Sequence, residues 1–161
     1  MGFDGERGVV STASYEARRY GVHSAQSMVV AHRLCPELIV VPCRHDYYAQ
    51  VSAQIHAIFA DYTDLIEPIS LDEAFLDVTH NKRHMDMAVE IAREIKQRIA
   101  DELHLTASAG VSYNKFLAKI ASDFRKPDGL CVIHPTRALD FIASQRPRRD
   151  DGATPRAAAR Q

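Results

Sequence analysis

The 161-residue sequence has no tryptophan, and its three cysteines, Cys35, Cys43 and Cys131, form no Cys-x-x-Cys pair. They cannot all pair with one another, which excludes a disulfide scaffold and fits reduced thiols in a cytoplasmic protein. No apolar run approaches the ~20 residues of a membrane span, and no signal peptide opens the chain. There is also no excess of charge. Twenty Lys and Arg face 21 Asp and Glu, a net of −1, so global charge does not announce a nucleic-acid binder. What the chain does have is 46% hydrophobic residues, enough to bury a real core in one domain.

Helical and strand patterns alternate along the chain. Residues 1–6 are polar and unpatterned, and Arg7 to Ala13 reads as a strand running into a turn. Ser14 caps a short helix over Tyr15–Tyr20, and Ser24 caps a second over Ala25–Leu34. Leu38 to Val41 is a short β-rich run. Tyr48, Val51, Ile55, Ile58 and Phe59 form one stripe of a long helix over His45–Tyr62. Strands follow over Asp64–Ser70 and Ala74–Val78. A helix over Asp86–Leu103 then turns Ile91, Ile95 and Ile99 inward. A strand over Leu105–Val111, a helix over Tyr113–Phe124 packing Phe116, Leu117, Ile120 and Phe124, and a strand over Gly129–Ile133 complete the pattern. This predicts an α+β fold, a mixed or antiparallel sheet with helices on one face. Residues 146–161 hold five Arg, two Asp and no large apolar residue, and predict a disordered basic tail.

The densest chemistry lies in Ser70 to Thr79, Ser-Leu-Asp-Glu-Ala-Phe-Leu-Asp-Val-Thr. Asp72 and Glu73 are adjacent carboxylates in an apolar run, where an unpartnered acid is costly. Strand neighbours point to opposite faces, so the two converge only at a hairpin turn or bulge. Two convergent oxygen donors suit a hard cation such as Mg²⁺, and the plainer alternative is a solvated acidic turn. Tyr15 and Arg18 are three apart on one helical face near a helix start, a placement that suits a phosphate. Taken alone, a Tyr and an Arg at this spacing are more often surface and packing residues. Lys115, Lys119, Arg125 and Lys126 form a basic stretch, which also complements the dipole at a helix end. His80 and His84 lack the acid or cysteine spacing of a metal site.

The acidic stretch resembles the signature hairpin of Y-family translesion DNA polymerases, nearest the bacterial DNA polymerase IV group. Gly8-Val9-Val10-Ser11-Thr12-Ala13-Ser14-Tyr15-Glu16-Ala17-Arg18, Thr106-Ala107-Ser108-Ala109-Gly110-Val111-Ser112, and Phe116 to Asp123 with Lys126-Pro127 extend the resemblance in family order. The resemblance implies two-metal nucleotidyl transfer to a DNA primer from deoxynucleoside triphosphates. It makes Asp72 a metal ligand and Glu73 both a metal ligand and the catalytic carboxylate. Thr12, Tyr15, Arg18 and Lys126 hold the incoming triphosphate, two Mg²⁺ ions serve as cofactor, and a sliding clamp is the partner of full-length relatives.

The resemblance divides the chain into an unpatterned residues 1–6, a fingers-like 7–44, an incomplete palm-like 45–145 and the tail 146–161. The family's first strand, with a further metal-binding aspartate, has no counterpart before Gly8; neither the thumb nor the C-terminal DNA-gripping domain follows Gln145. The expectation is therefore a palm and fingers region cut at both ends, inactive by itself. The alternative is a non-catalytic remnant or a nucleic-acid- or nucleotide-binding module that keeps the palm fold.

Overall fold

The computed structural model describes residues 1–5 and 7–145. The expected basic tail, 146–161, lies outside the described residues. The chain separates into two compact units, Met1–Ala53 and Gln54–Gln161, with the division inside one helix.

The first unit holds helices α1 (Tyr15–Arg19) and α2 (Met28–Leu34) and the start of α3 (His45–Ala60). The strand expected over Arg7–Ala13 is reduced to single antiparallel bridges, Gly2 to Val10 and Val9 to Ser27. Gly2, in the stretch read as unpatterned, is buried. The helix expected from Ala25 starts three residues later. Ala25 has a left-handed φ of 64°, and the segment pairs with its neighbour: Ala25 N–H donates to Val10 O, and Val10 N–H to Gln26 O. Those peptide groups are committed before a helix can use them. Leu38 to Val41 forms no strand; its carbonyl at Val41 accepts from Gly2 N–H. Val10, Val22, Met28 and Ala31 make the core of this unit.

In the second unit β1 (Ile66–Pro68) pairs antiparallel with β2 (Ala74–Leu76), in register Ile66 to Leu76 and Pro68 to Ala74. β3 (Ala109–Val111) pairs parallel with β4 (Leu130–Val132). The mixed sheet foreseen from the sequence is thus two separate two-stranded ladders among the described residues. α4 (Ala88–Leu103) separates the two ladders along the chain and α5 (Lys115–Asp123) connects β3 to β4; α6 (Ala138–Gln145) follows a single 3-10 turn at Pro135–Arg137. Isoleucines at four-residue steps put Ile91, Ile95 and Ile99 of α4 against Ile58 and Tyr62. The helix stops at His104, whose left-handed φ of 56° closes the last turn. Asn114 starts α5, its side-chain oxygen accepting from Leu117 N–H at 2.9 Å. α5 buries Leu117 and Ala121. Phe116 and Phe124, expected inside, stay exposed. Gly110 explains the close seat of α5 on β3: a β-carbon there would lie 2.0 Å from Ala118 O.

Candidate functional site

The β1–β2 connection is a closed turn. The N–H groups of Ile69 and Ser70 both donate to Glu73 O, at 2.8 and 3.2 Å. Asp72 and Glu73 therefore sit in the turn rather than along a strand, which removes the opposed-face problem of adjacent residues. Ser70 Oγ donates to Asp72 Oδ1 at 2.7 Å and orients that carboxylate on the exposed side. Glu73 is half-buried and ion-paired with Lys119. One helical turn earlier Lys115 pairs with Glu67 and stands 5.8 Å from the Phe75 ring centre. Two lysines on one face of α5 thus meet two glutamates of the hairpin. The four-residue lysine spacing was visible in the sequence, but nothing there said what it faced.

Lys126 follows α5 in a turn whose Lys126–Pro127 peptide is cis. Its ammonium lies 2.7 Å from Asp123 Oδ1. That hydrogen bond holds the Asp123 carboxyl below the usual carboxylate range. Sequence reasoning gave no role to Lys96 of α4, which reaches this turn and bonds Asp128 and Gly129.

Thr12, Tyr15 and Arg18 belong to the other unit. Ser14 caps α1 by accepting from Ala17 N–H at 3.3 Å. Arg18 Nε donates to Ala13 O at 2.9 Å, and its guanidinium lies 5.5 Å from the Tyr15 ring centre. The three residues are therefore gathered at the start of one short helix, with Tyr15 and Arg18 exposed and Thr12 half-buried. Thr12 also borders an apolar cavity of ≈ 450 Å³ lined by Val10, Ala17, Val22 and Met28. That lining has no charged side chain to offer a triphosphate, so the exposed face of α1 is the better candidate surface.

Oxygen donors alone, two carboxylates strong, match the way Mg²⁺ is held when substrate phosphates complete its shell. Asp72 and Glu73 fit that role. Among the described residues no group of three or more His, Cys, Asp or Glu stands close enough to enclose a metal. No described helix is long and apolar enough to cross a membrane.

An acidic turn faced by a lysine helix, in an α+β unit preceded by a small helical one, defines the class of architecture. Its family is the impB/mucB/samB family, to which the chain belongs; the family model matches residues 2–123. The chain is 70% identical over 143 residues to a DNA polymerase IV of Bacteroides fragilis, covering 89% of this chain and 39% of that protein. A DNA polymerase IV of Akkermansia muciniphila is 69% identical over 138 residues, covering 86% of this chain and 38% of the relative. Among solved structures, DinB from Sulfolobus solfataricus matches with a TM-score of 0.79 and 41% identity, covering 86% of this chain and 41% of that one. An insertion ternary complex of Dbh DNA polymerase matches with a TM-score of 0.79 and 40% identity, covering 86% of this chain and 40% of that one. The chain spans about two fifths of the length of these relatives. The resemblance to Y-family polymerases and the α+β class read from the sequence are borne out.

Proposed function

We propose that this chain is the palm and fingers region of a translesion DNA polymerase, adding deoxynucleotides to a primer during damage bypass. The observation that carries this is the closed turn presenting Asp72 and Glu73 beside the lysine face of α5. Asp72 and Glu73 would hold Mg²⁺, with Glu73 the catalytic carboxylate. When bound, two such ions activate the primer 3′ oxygen and neutralise the leaving pyrophosphate. Glu73 exchanges its pairing with Lys119 for that role. Thr12 lies against the nucleotide, Tyr15 donates a hydrogen bond to the triphosphate, and Arg18 and Lys126 neutralise its β and γ groups. Lys126 leaves Asp123 to do so. The partners are primer–template DNA and deoxynucleoside triphosphates in the cytoplasm, with a sliding clamp engaged by a full-length protein.

Asp72 and Glu73 supply about −2 toward a metal charge of about +4, before the triphosphate adds its own. The 161-residue chain is therefore expected to bind Mg²⁺–nucleotide while giving negligible primer extension. The assay pairs nucleotide titration with primer extension in Mg²⁺ and all four deoxynucleotides, with an Asp72→Ala, Glu73→Ala double variant as the blank. The double variant should weaken Mg²⁺-dependent nucleotide affinity about tenfold or more. Extension by the unmodified chain, abolished in the blank, would reveal a further carboxylate supplied by this chain. Nucleotide affinity that ignores both Mg²⁺ and the double substitution would instead identify a non-catalytic binding module.

A further inference from the structure

We propose that Lys96 is a positioning residue for the turn that carries Lys126, and so acts on nucleotide binding from a distance. This rests on the reading of Lys126 as a triphosphate contact. Lys96 lies on α4, and its ammonium donates to Asp128 O at 2.6 Å and Gly129 O at 3.3 Å. It also lies 3.0 Å from Asp128 Oδ1. All three lysine donors can thus be spent on one turn. At 15% its side chain is the least exposed cation among the described ion pairs. A largely desolvated ammonium is tolerable only when its partners are this complete.

The turn has reasons to need such a clamp. Arg125 and Asp128 have φ of 68° and 54°, a left-handed region in which a non-glycine β-carbon is strained. Gly129 is enclosed: an added β-carbon would meet Arg125 O at 2.5 Å and Phe124 O at 2.9 Å. Its N–H donates to Ser108 Oγ at 3.1 Å, and its carbonyl accepts from Ala109 N–H at 2.9 Å as well as from Lys96. The exit of the turn is therefore tied to α4 and to the first rung of the β3–β4 ladder. Its entrance is tied to α5 through Lys126 and Asp123. With residues 128–129 fixed, Lys126 can exchange Asp123 for a phosphate while its backbone stays in place. Lys96 itself touches no reacting atom.

The test titrates the 161-residue chain with Mg²⁺–dCTP and follows amide shifts by NMR. Lys96→Met keeps the apolar stem, Lys96→Arg keeps the charge, and Asp128→Asn removes the exposed half of the ion pair. Lys126→Ala should weaken affinity about tenfold and Lys96→Met about three- to tenfold. Lys96→Arg should recover most of the loss, and Asp128→Asn should give a smaller loss of the same sign. Lys96→Met combined with Lys126→Ala should bind no more weakly than Lys126→Ala alone, because one residue acts through the other. A merely structural defect would add to the Lys126 effect. Additive losses, or Asp128 and Gly129 amides unmoved in Lys96→Met, overturn the clamp. Full affinity in Lys126→Ala overturns the phosphate role of Lys126 and with it the effect of Lys96 on binding. The two failures are distinct, since in the second the Lys96→Met amides still move.

Discussion

The two units hold their residues by different means. Met1–Ala53 is built on helices of five and seven residues, the start of α3 and isolated bridges, and its core has four buried members beside a ≈ 450 Å³ apolar cavity. Gln54–Gln161 has the sixteen-residue α4, two ladders and two apolar clusters. It also centres a polar network on buried Tyr62. The phenol donates to Glu94 at 2.8 Å, with the Arg83 and Arg98 guanidiniums 5.3 and 5.8 Å from the ring centre. A helix as short as α1 cannot stand on propensity alone. It buries none of its residues and relies on the Ser14 cap and the Arg18–Ala13 bond. Tyr15 and Arg18 therefore sit on an adaptable segment, whereas Asp72 and Glu73 sit in a turn closed by backbone bonds. Segments of low local stability are the ones from which ligand-binding elements are drawn.

Core substitutions should sharpen that contrast most. Ile91→Ala, at a residue 1% exposed, should cost about 2–5 kcal/mol. Val22→Ala in the first unit already borders a void and should cost about 2 kcal/mol. Urea unfolding with hydrogen exchange read separately on α4 and α2 measures both, and equal costs would erase the distinction. Glycines give the next largest effect. Gly110→Ala would place its β-carbon 2.0 Å from Ala118 O and 2.4 Å from Ser122 N, both backbone, so α5 must lift from β3. The expected cost is about 3 kcal/mol. Gly21 has a φ of 84° but meets nothing nearer than Leu34 Cδ1 at 3.7 Å. Gly21→Ala therefore carries only the left-handed penalty, roughly 1 kcal/mol. Parallel thermal melts that rank the two in reverse would contradict the close seat of α5.

Much of this was legible in the sequence where one force dominates. The Ile91, Ile95 and Ile99 spacing marked the buried face of α4, and adjacent Asp72 and Glu73 demanded a turn. Legibility failed where tertiary hydrogen bonds overrule local pattern. Ser24 looks like a helix cap, yet residues 25–27 pair with Val9 and Val10 instead. Phe116 has the periodicity of a core residue, yet α5 turns Leu117 and Ala121 inward because Gly110 admits only a small contact there. For the candidate site, the sequence shows α5 lysines and hairpin glutamates 46 to 48 positions apart, and only folding reveals that they pair. Lys96 is still less visible, since one lysine on a charged helix face has no pattern to mark its partner.

The smallest expected effect is on pH dependence, and it should fall mainly on the second unit. Asp61 is held below the ordinary carboxylate value of 3.8 chiefly by its hydrogen bond from Arg98. Asp77 is held below it by Thr79, and Asp123 by Lys126. A carboxyl whose folded pKa is depressed binds fewer protons than its unfolded counterpart. Its contribution is present above 3.8 and is lost as pH falls through the folded value. Tyr62 runs the other way. Burial, followed by its bond to Glu94, raises the phenol above 10.0, so its contribution is complete below 10.0 and is lost as pH rises past it. The three aspartates are exposed, so solvent and salt screen their pairs and the acid effect should be modest. Comparing melts of the unmodified chain and Asp61→Asn isolates one of them. The variant should melt lower near neutral pH, and the gap should close as pH falls below the ordinary carboxylate value of 3.8 and through the lowered folded one. It should also shrink in high salt. A gap that persists unchanged in acid would mean that Asp61 supports Arg98 through shape rather than charge, and the charged network around Tyr62 would lose its place in the contrast between the two units.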